Sequence, residues 1–196
     1  MLRKFERRVC NVMVHREKQW QLNLLKWLTI ALVLKLIYLD VFPGASYVQH
    51  LLMYVAFYKS LSYYNGVSHV KRYIQFGFGL LLVNMLSDGL FLHYWYLILT
   101  AAIDLLIVYE FFKIIRVIEE DCKAVGSTPR IMKKYMWLAI SVISSWTFLM
   151  NLEYSSQMML LLIGAVIMFG INVRLLFYLR GLKKHIKATM HFVTHS

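Results

Sequence analysis

The sequence predicts an all-α fold: a polytopic transmembrane helical bundle with six spans in three outward hairpins, N and C termini both cytoplasmic. Three observations predict it. Apolar residues make up 60% of the chain and its mean hydropathy is +0.57, more apolar surface than a soluble domain of this size can bury. Six apolar stretches are each long enough to cross a hydrocarbon core of ~30 Å as a helix. Basic residues gather on alternate connections between these stretches.

Residues 1–21 form a basic cytoplasmic segment. Leu2, Phe5, Val9, Val12, Met13 and Trp20 recur at helical spacing among Arg and Lys, which gives a helix with one apolar and one cationic face. Such a segment suits the inner leaflet, and it equally serves as a topology signal. The long polar start, with no small-residue cleavage site after the first apolar run, points to a retained span and not a signal peptide.

The membrane domain covers 22–179, with spans near 22–41, 46–63, 73–92, 94–114, 134–152 and 157–179. Pro43-Gly44 separates the first two, Asp88-Gly89 supplies turn chemistry after the third, and residues from Asn151 to Gln157 separate the last two. A count of five follows if the short second or third segment does not insert fully. The three outward connections hold Asp40, Asp88 and Glu153 and no Lys or Arg, while the opposite side holds the basic loops and a basic tail, 180–196. Lys35 is the clear exception. An even number of spans then places both ends inside, and the plasma membrane of a bacterium fits best. Trp and Tyr residues cluster near the expected boundaries, among them Tyr94, Trp95 and Tyr96 outside and Trp20, Tyr64, Tyr135, Trp137 and Tyr178 inside.

Between the fourth and fifth spans the helix should continue to about Val125, with Gly126 ending it, Thr128 as N-cap of the next helix and Pro129 at N1. Glu119, Glu120 and Asp121 then fall at a helix C-terminus, where the macrodipole disfavours acids and sends them in search of cations. The sixth span continues through Leu182 and Ile186 beside Lys183, Lys184 and Lys187. These residues form a candidate cytoplasmic contact: acidic cluster against basic tail, within a protomer or across a homodimer. A solvated charge run with a lipid-binding tail is the plainer alternative.

Charges within spans carry the most information, because each costs ~2.5–3.5 kcal/mol at a helix centre. Asp104 lies mid-way along the fourth span and Lys35 in the outer half of the first, which suggests a pair. Glu110 and Arg174 lie at similar depths and suggest a second, structural pair. Lys35, His50, Asn84, Asp88 and Asp104 form a candidate intramembrane polar site. On the structural reading, favoured at both levels, these charges simply hold helices together, and Lys35 can also snorkel outward. On the functional reading, the first level lines a solute site or polar pathway.

No motif points to an enzyme. The chain lacks GxGxxG, Walker and HExxH patterns, and Asp88 and Asp104 lie at different depths, unlike a proton-sharing pair. Neither Cys10 nor Cys122 has a histidine at the spacing expected of a membrane cysteine peptidase. His191 and His195 share an i, i+4 spacing but lack a neighbouring carboxylate or cysteine, so no metal or other cofactor is expected. A net charge of +12 indicates anionic inner-leaflet lipid as partner and not nucleic acid. The leading expectation is therefore a non-enzymatic membrane component with cytoplasmic interaction surfaces. The alternative is a small-solute transporter or the substrate-binding subunit of a transport complex. In size and span count the chain is similar to small substrate-capturing subunits of vitamin transporters.

Overall fold

A computed structural model describes residues 2–36, 45–64, 68–86, 93–122, 126–147 and 153–195. The side chains of 2–17, 45–46, 93–95, 97, 154 and 190–195 lie outside that description. The described residues form six α-helices and no strand: α1 (Leu2–Leu36), α2 (Ala45–Leu61), α3 (Ser68–Leu86), α4 (His93–Asp121), α5 (Thr128–Trp146) and α6 (Tyr154–His195). Each overlaps one of the six apolar stretches. Asp40, Pro43-Gly44, Asp88-Gly89 and Asn151 fall outside the described residues.

Two helices are much longer than the stretches that predict them. α1 has 35 residues and α6 has 42, about 52 and 63 Å at 1.5 Å per residue. α1 shows no break at residue 21, so the basic segment and the first apolar stretch share one helix axis. Leu24, Leu25, Leu28, Ala31 and Leu32 are buried, a spacing that makes one apolar stripe. On α6, Leu175, Leu179, Leu182 and Ile186 are buried at intervals of four, three and four. α1 and α6 pack together, and each helix packs on its neighbours in sequence, which closes a ring.

α4 is the hub of the bundle. Ile107, Val108, Phe111, Phe112, Ile114, Ile115 and Ile118 are all buried, so apolar packing surrounds most of the helix. Its side chains reach every other helix: Lys35 of α1, Tyr54 of α2, His69 of α3, Thr128 of α5 and Tyr178 of α6. Phe57 stacks on Phe111 and Phe112 meets Tyr135 edge-on, with ring centroids 5.3 and 5.5 Å apart.

α6 is the described helix that is long and apolar enough to cross a bilayer by itself. Over Ser155–Thr189 its most apolar stretch has a mean hydropathy of 2.3, and only 17% of that stretch is buried. This supports membrane association. α2, with 17 residues among those described, lies at the lower limit of the ~17–25 residues that a span takes.

Two glycines set close approaches. A Cβ on Gly77 would lie 2.7 Å from the Tyr54 ring, and one on Gly164 would lie 2.7 Å from the Trp146 indole nitrogen. Tyr54 is fully buried, so its ring has nowhere to retreat. Gly77→Ala should therefore destabilise the protein by about 1–3 kcal/mol. Gly79, two residues on with open space around it, should gain up to about 1 kcal/mol on the same change. Thermal unfolding of both variants in mild detergent checks this, and equal melting shifts would refute the close packing.

Candidate functional site

Lys35 and Asp104 meet. Lys35 Nζ lies 2.8 Å from Asp104 Oδ2, with side chains 16% and 9% exposed. The Tyr54 hydroxyl donates to Asp104 Oδ1 at 3.2 Å, so both carboxylate oxygens have partners. Lys35 also stands in the last turn of α1, where the helix dipole favours a cation. Beside the pair, the Tyr135 hydroxyl donates to Asn172 Oδ1 at 2.9 Å, and Asn172 Nδ2 donates to the Met168 carbonyl at 2.7 Å. Gln49 Nε2 donates to the Leu34 carbonyl and ties α2 to α1.

These groups line a cavity of about 580 Å³ between α1, α2, α4, α5 and α6. Lys35, Gln49, His50, Asp104, Tyr135 and Asn172 supply its polar positions, and Trp146, Leu105, Met168 and Phe169 are among its apolar ones. Of the five residues expected to form an intramembrane polar site, Lys35, His50 and Asp104 line this cavity. Asn84 does not: it sits on α3, which contributes no residue to the lining, and Nδ2 donates to the Tyr47 hydroxyl of α2 at 3.3 Å. Asp88 lies outside the described residues.

The second expected pair does not form. Glu110 is held by Lys113, one turn along α4 at 2.7 Å, and by His69 of α3 at 3.2 Å. Arg174 is exposed, one residue before buried Leu175 and so turned off the packed face of α6. Direction around the helix decided the partner. Lys113 also lies over the Tyr109 ring, 4.5 Å from its centroid.

The acidic cluster disperses to three partners. Glu119, 2% exposed, accepts from the backbone nitrogens of Ser127 at 2.8 Å and Thr128 at 3.1 Å, and from the Tyr178 hydroxyl at 2.9 Å. It thereby caps α5, whose N-cap is Ser127 and not Thr128, and whose Ser127 side chain makes no capping bond. Glu120 pairs with Arg116 at 2.8 Å on an exposed surface, a contact worth little. Asp121 Oδ2 accepts from Gln21 Nε2 at 3.4 Å. Among the described residues no ion pair joins Glu119, Glu120 or Asp121 to Lys183, Lys184 or Lys187 in the protomer. The macrodipole reading sends Glu119 to a cation, and among the described residues none pairs with it; positive partial charge takes that place. The free N–H groups at the start of α5, eight residues on, supply it without the entropy of fixing a long lysine.

Burial alone raises the Glu119 carboxyl, but the bonds from Thr128, Ser127 and Tyr178 outweigh it and hold the group below the usual carboxylate range. The Cys122 thiol is pushed up by burial and donates to Gln21 Oε1 at 3.5 Å, which suits a packing role and not a nucleophile.

Sequence reasoning missed Gln49, Tyr54, Tyr135 and Asn172. Gln49 and Asn172 were legible as amides inside apolar runs, where an unbonded polar group is costly. Tyr135 read as a boundary aromatic, yet it is buried in the core. Nothing in the sequence marks Tyr54, since tyrosines are spread along every span.

Two outcomes follow. Asp104→Asn strands the Lys35 ammonium and should cost about 3–5 kcal/mol, whereas the Lys35→Met, Asp104→Leu double change should recover much of that loss. Thermal unfolding in detergent measures both, and a harmless single change would mean the pair bears no load. Glu119→Gln should lower stability by about 1.5–3 kcal/mol near neutral pH. Because the folded-state pKa is depressed, this contribution is full above the ordinary glutamate range and disappears as pH falls through the folded value. Melting curves of wild type and variant should therefore converge on acidification, and a constant gap would contradict the assignment.

The chain matches no protein-family model, no curated protein and no solved structure.

Proposed function

We propose that the chain is a multi-span plasma-membrane protein whose cavity binds a small solute, as a transporter or as the substrate-binding subunit of a transport complex. The observation that carries this reading is the Lys35–Asp104 pair on the wall of a cavity of about 580 Å³. Charges that only tie helices together need no open volume beside them, and interiors pack at crystal-like density. A cavity of this size with a few convergent polar groups on an apolar lining has the character of a small-molecule site.

Multiple crossings draw support from the surface. Val48, Leu52 and Val55 on α2, Phe76, Leu82 and Val83 on α3, and Leu138 and Ile140 on α5 are exposed, as are Met159, Leu162 and Phe169 on α6. So much outward apolar surface is unusual for a soluble monomer and ordinary against lipid. The basic connections support the N-in, C-in arrangement. An interaction protein working through cytoplasmic segments has less behind it. Arg180, Lys184 and Lys187 are exposed on the tail, but the acids expected to meet them are engaged elsewhere.

The test is native mass spectrometry of the protein purified from its own host membranes in mild detergent, joined to thermal shifts with the species recovered. The expected result is a solute bound one to one that raises the melting temperature and is absent from Asp104→Asn. A protein that arrives empty and shifts with nothing in host extracts would remove the solute reading. In the same cells, an impermeant maleimide should label Glu153→Cys from outside and Lys184→Cys only after permeabilisation. Labelling of both from outside would overturn the topology.

A further inference from the structure

The cavity lining is of two kinds. Its polar part is the Lys35–Asp104 pair with Tyr135 and Asn172. Its apolar part includes Ala165, Val166 and Phe169 of α6. Val166 is 64% exposed and Phe169 56%, so these side chains stand at a mouth and not in the packed interior. The mouth falls within Ser155–Thr189, the stretch apolar enough to cross a bilayer and little buried against the bundle. Placed in a membrane, this flank of α6 meets acyl chains and not water. A ligand entering here must be soluble in lipid.

The polar part constrains the ligand's head. Lys35 Nζ carries three N–H donors and Asp104 takes one. Among the described residues no other ion pair takes the remaining two, which leaves them for an acceptor on the ligand. The pair itself carries no net charge, so an ionic head beside it in a low dielectric would have no counter-charge. A carbonyl or hydroxyl oxygen accepts from Lys35 without separating it from Asp104.

On the solute-cavity reading above, we propose that this site takes a neutral amphiphile laterally from the bilayer: an apolar chain or ring whose carbonyl or hydroxyl head binds Lys35 while its body passes Val166 and Phe169. Trp146, on the cavity wall, offers the passing body an apolar face.

The test uses the full-length protein in nanodiscs of zwitterionic lipid. Diazirine-bearing hexadecanol and the matching hexadecanoate are photolysed in turn, and the labelled residues are mapped by mass spectrometry. The alcohol should label Ala165–Phe169 and the region of Lys35–Leu36, and unlabelled hexadecanol should abolish that labelling. Ala165→Trp, which fills the mouth, should remove it while labelling at exposed Met159 and Leu162 persists. Competition in the wild-type protein keeps the test decisive if that variant fails to fold. Uncompeted, even labelling along exposed α6 would mean bulk lipid contact and overturn the proposal, and preferential capture of hexadecanoate would overturn the neutral head. A water-soluble solute bound in an Asp104-dependent way, with no competed alcohol labelling, would sink lateral entry and leave the solute cavity standing. Absence of saturable binding by either kind of ligand would remove both.

Discussion

A buried ion pair governs this structure. Asp104 sits on α4, whose side chains reach each of the other five helices, and Lys35 reaches it from the end of α1. Bringing two charges out of water costs several kcal/mol each, and the mutual attraction compensates only when geometry is good and the remaining lone pairs are satisfied. Tyr54 completes Asp104, and Gly77 leaves the space that lets Tyr54 approach. A glycine on α3, a tyrosine on α2 and a lysine on α1 thus converge on one carboxylate of α4. The pair fixes the relative depth of α1 and α4 at one end of the bundle. Gln21, between Asp121 and Cys122, fixes it at the other.

The same economy operates at the C-terminal end of α4. Glu119 uses a single carboxylate to satisfy the first N–H groups of α5 and to hold Tyr178 of α6. The connection from α4 to α5 is thereby locked by backbone bonds and not by loose surface charge, and the basic tail of α6 is left outward. α1 and α6 also pack on each other. The two long helices thus carry the basic ends of the chain on a shared stem.

Much of the fold was legible in the sequence because hydrophobicity is additive. Six apolar stretches became six helices, and Pro129 placed the start of α5 to within a residue of the observed cap, whereas α4 ends at Asp121 and not at the Val125 that Gly126 suggested. The depth of Lys35 and Asp104 was equally legible, since rise per residue is fixed. What failed was angular. Arg174 and Glu110 share a depth but not a direction, and Asn84 shares the polarity of the site but lies on a helix that does not line it. The helical continuity of residues 2–20 with the first apolar stretch was also hidden, because amphipathic spacing looks the same whether a helix lies flat or continues an axis. Tyr54 and Tyr135 illustrate a further limit: a tyrosine's role is set by what its hydroxyl reaches, which only packing decides.

The account's central claim is that Lys35 and Asp104 form one mutually dependent charge pair inside the bundle. Exchanging them tests it most directly. Lys35→Asp and Asp104→Lys are made singly and together, and the folded fraction and melting temperature of each protein are measured after extraction from membranes. The account predicts that each single change, which places two like charges face to face, sharply reduces the folded yield. It predicts that the exchanged pair restores most of that yield. Singles that fold as well as wild type, or an exchange that rescues nothing, would contradict the claim.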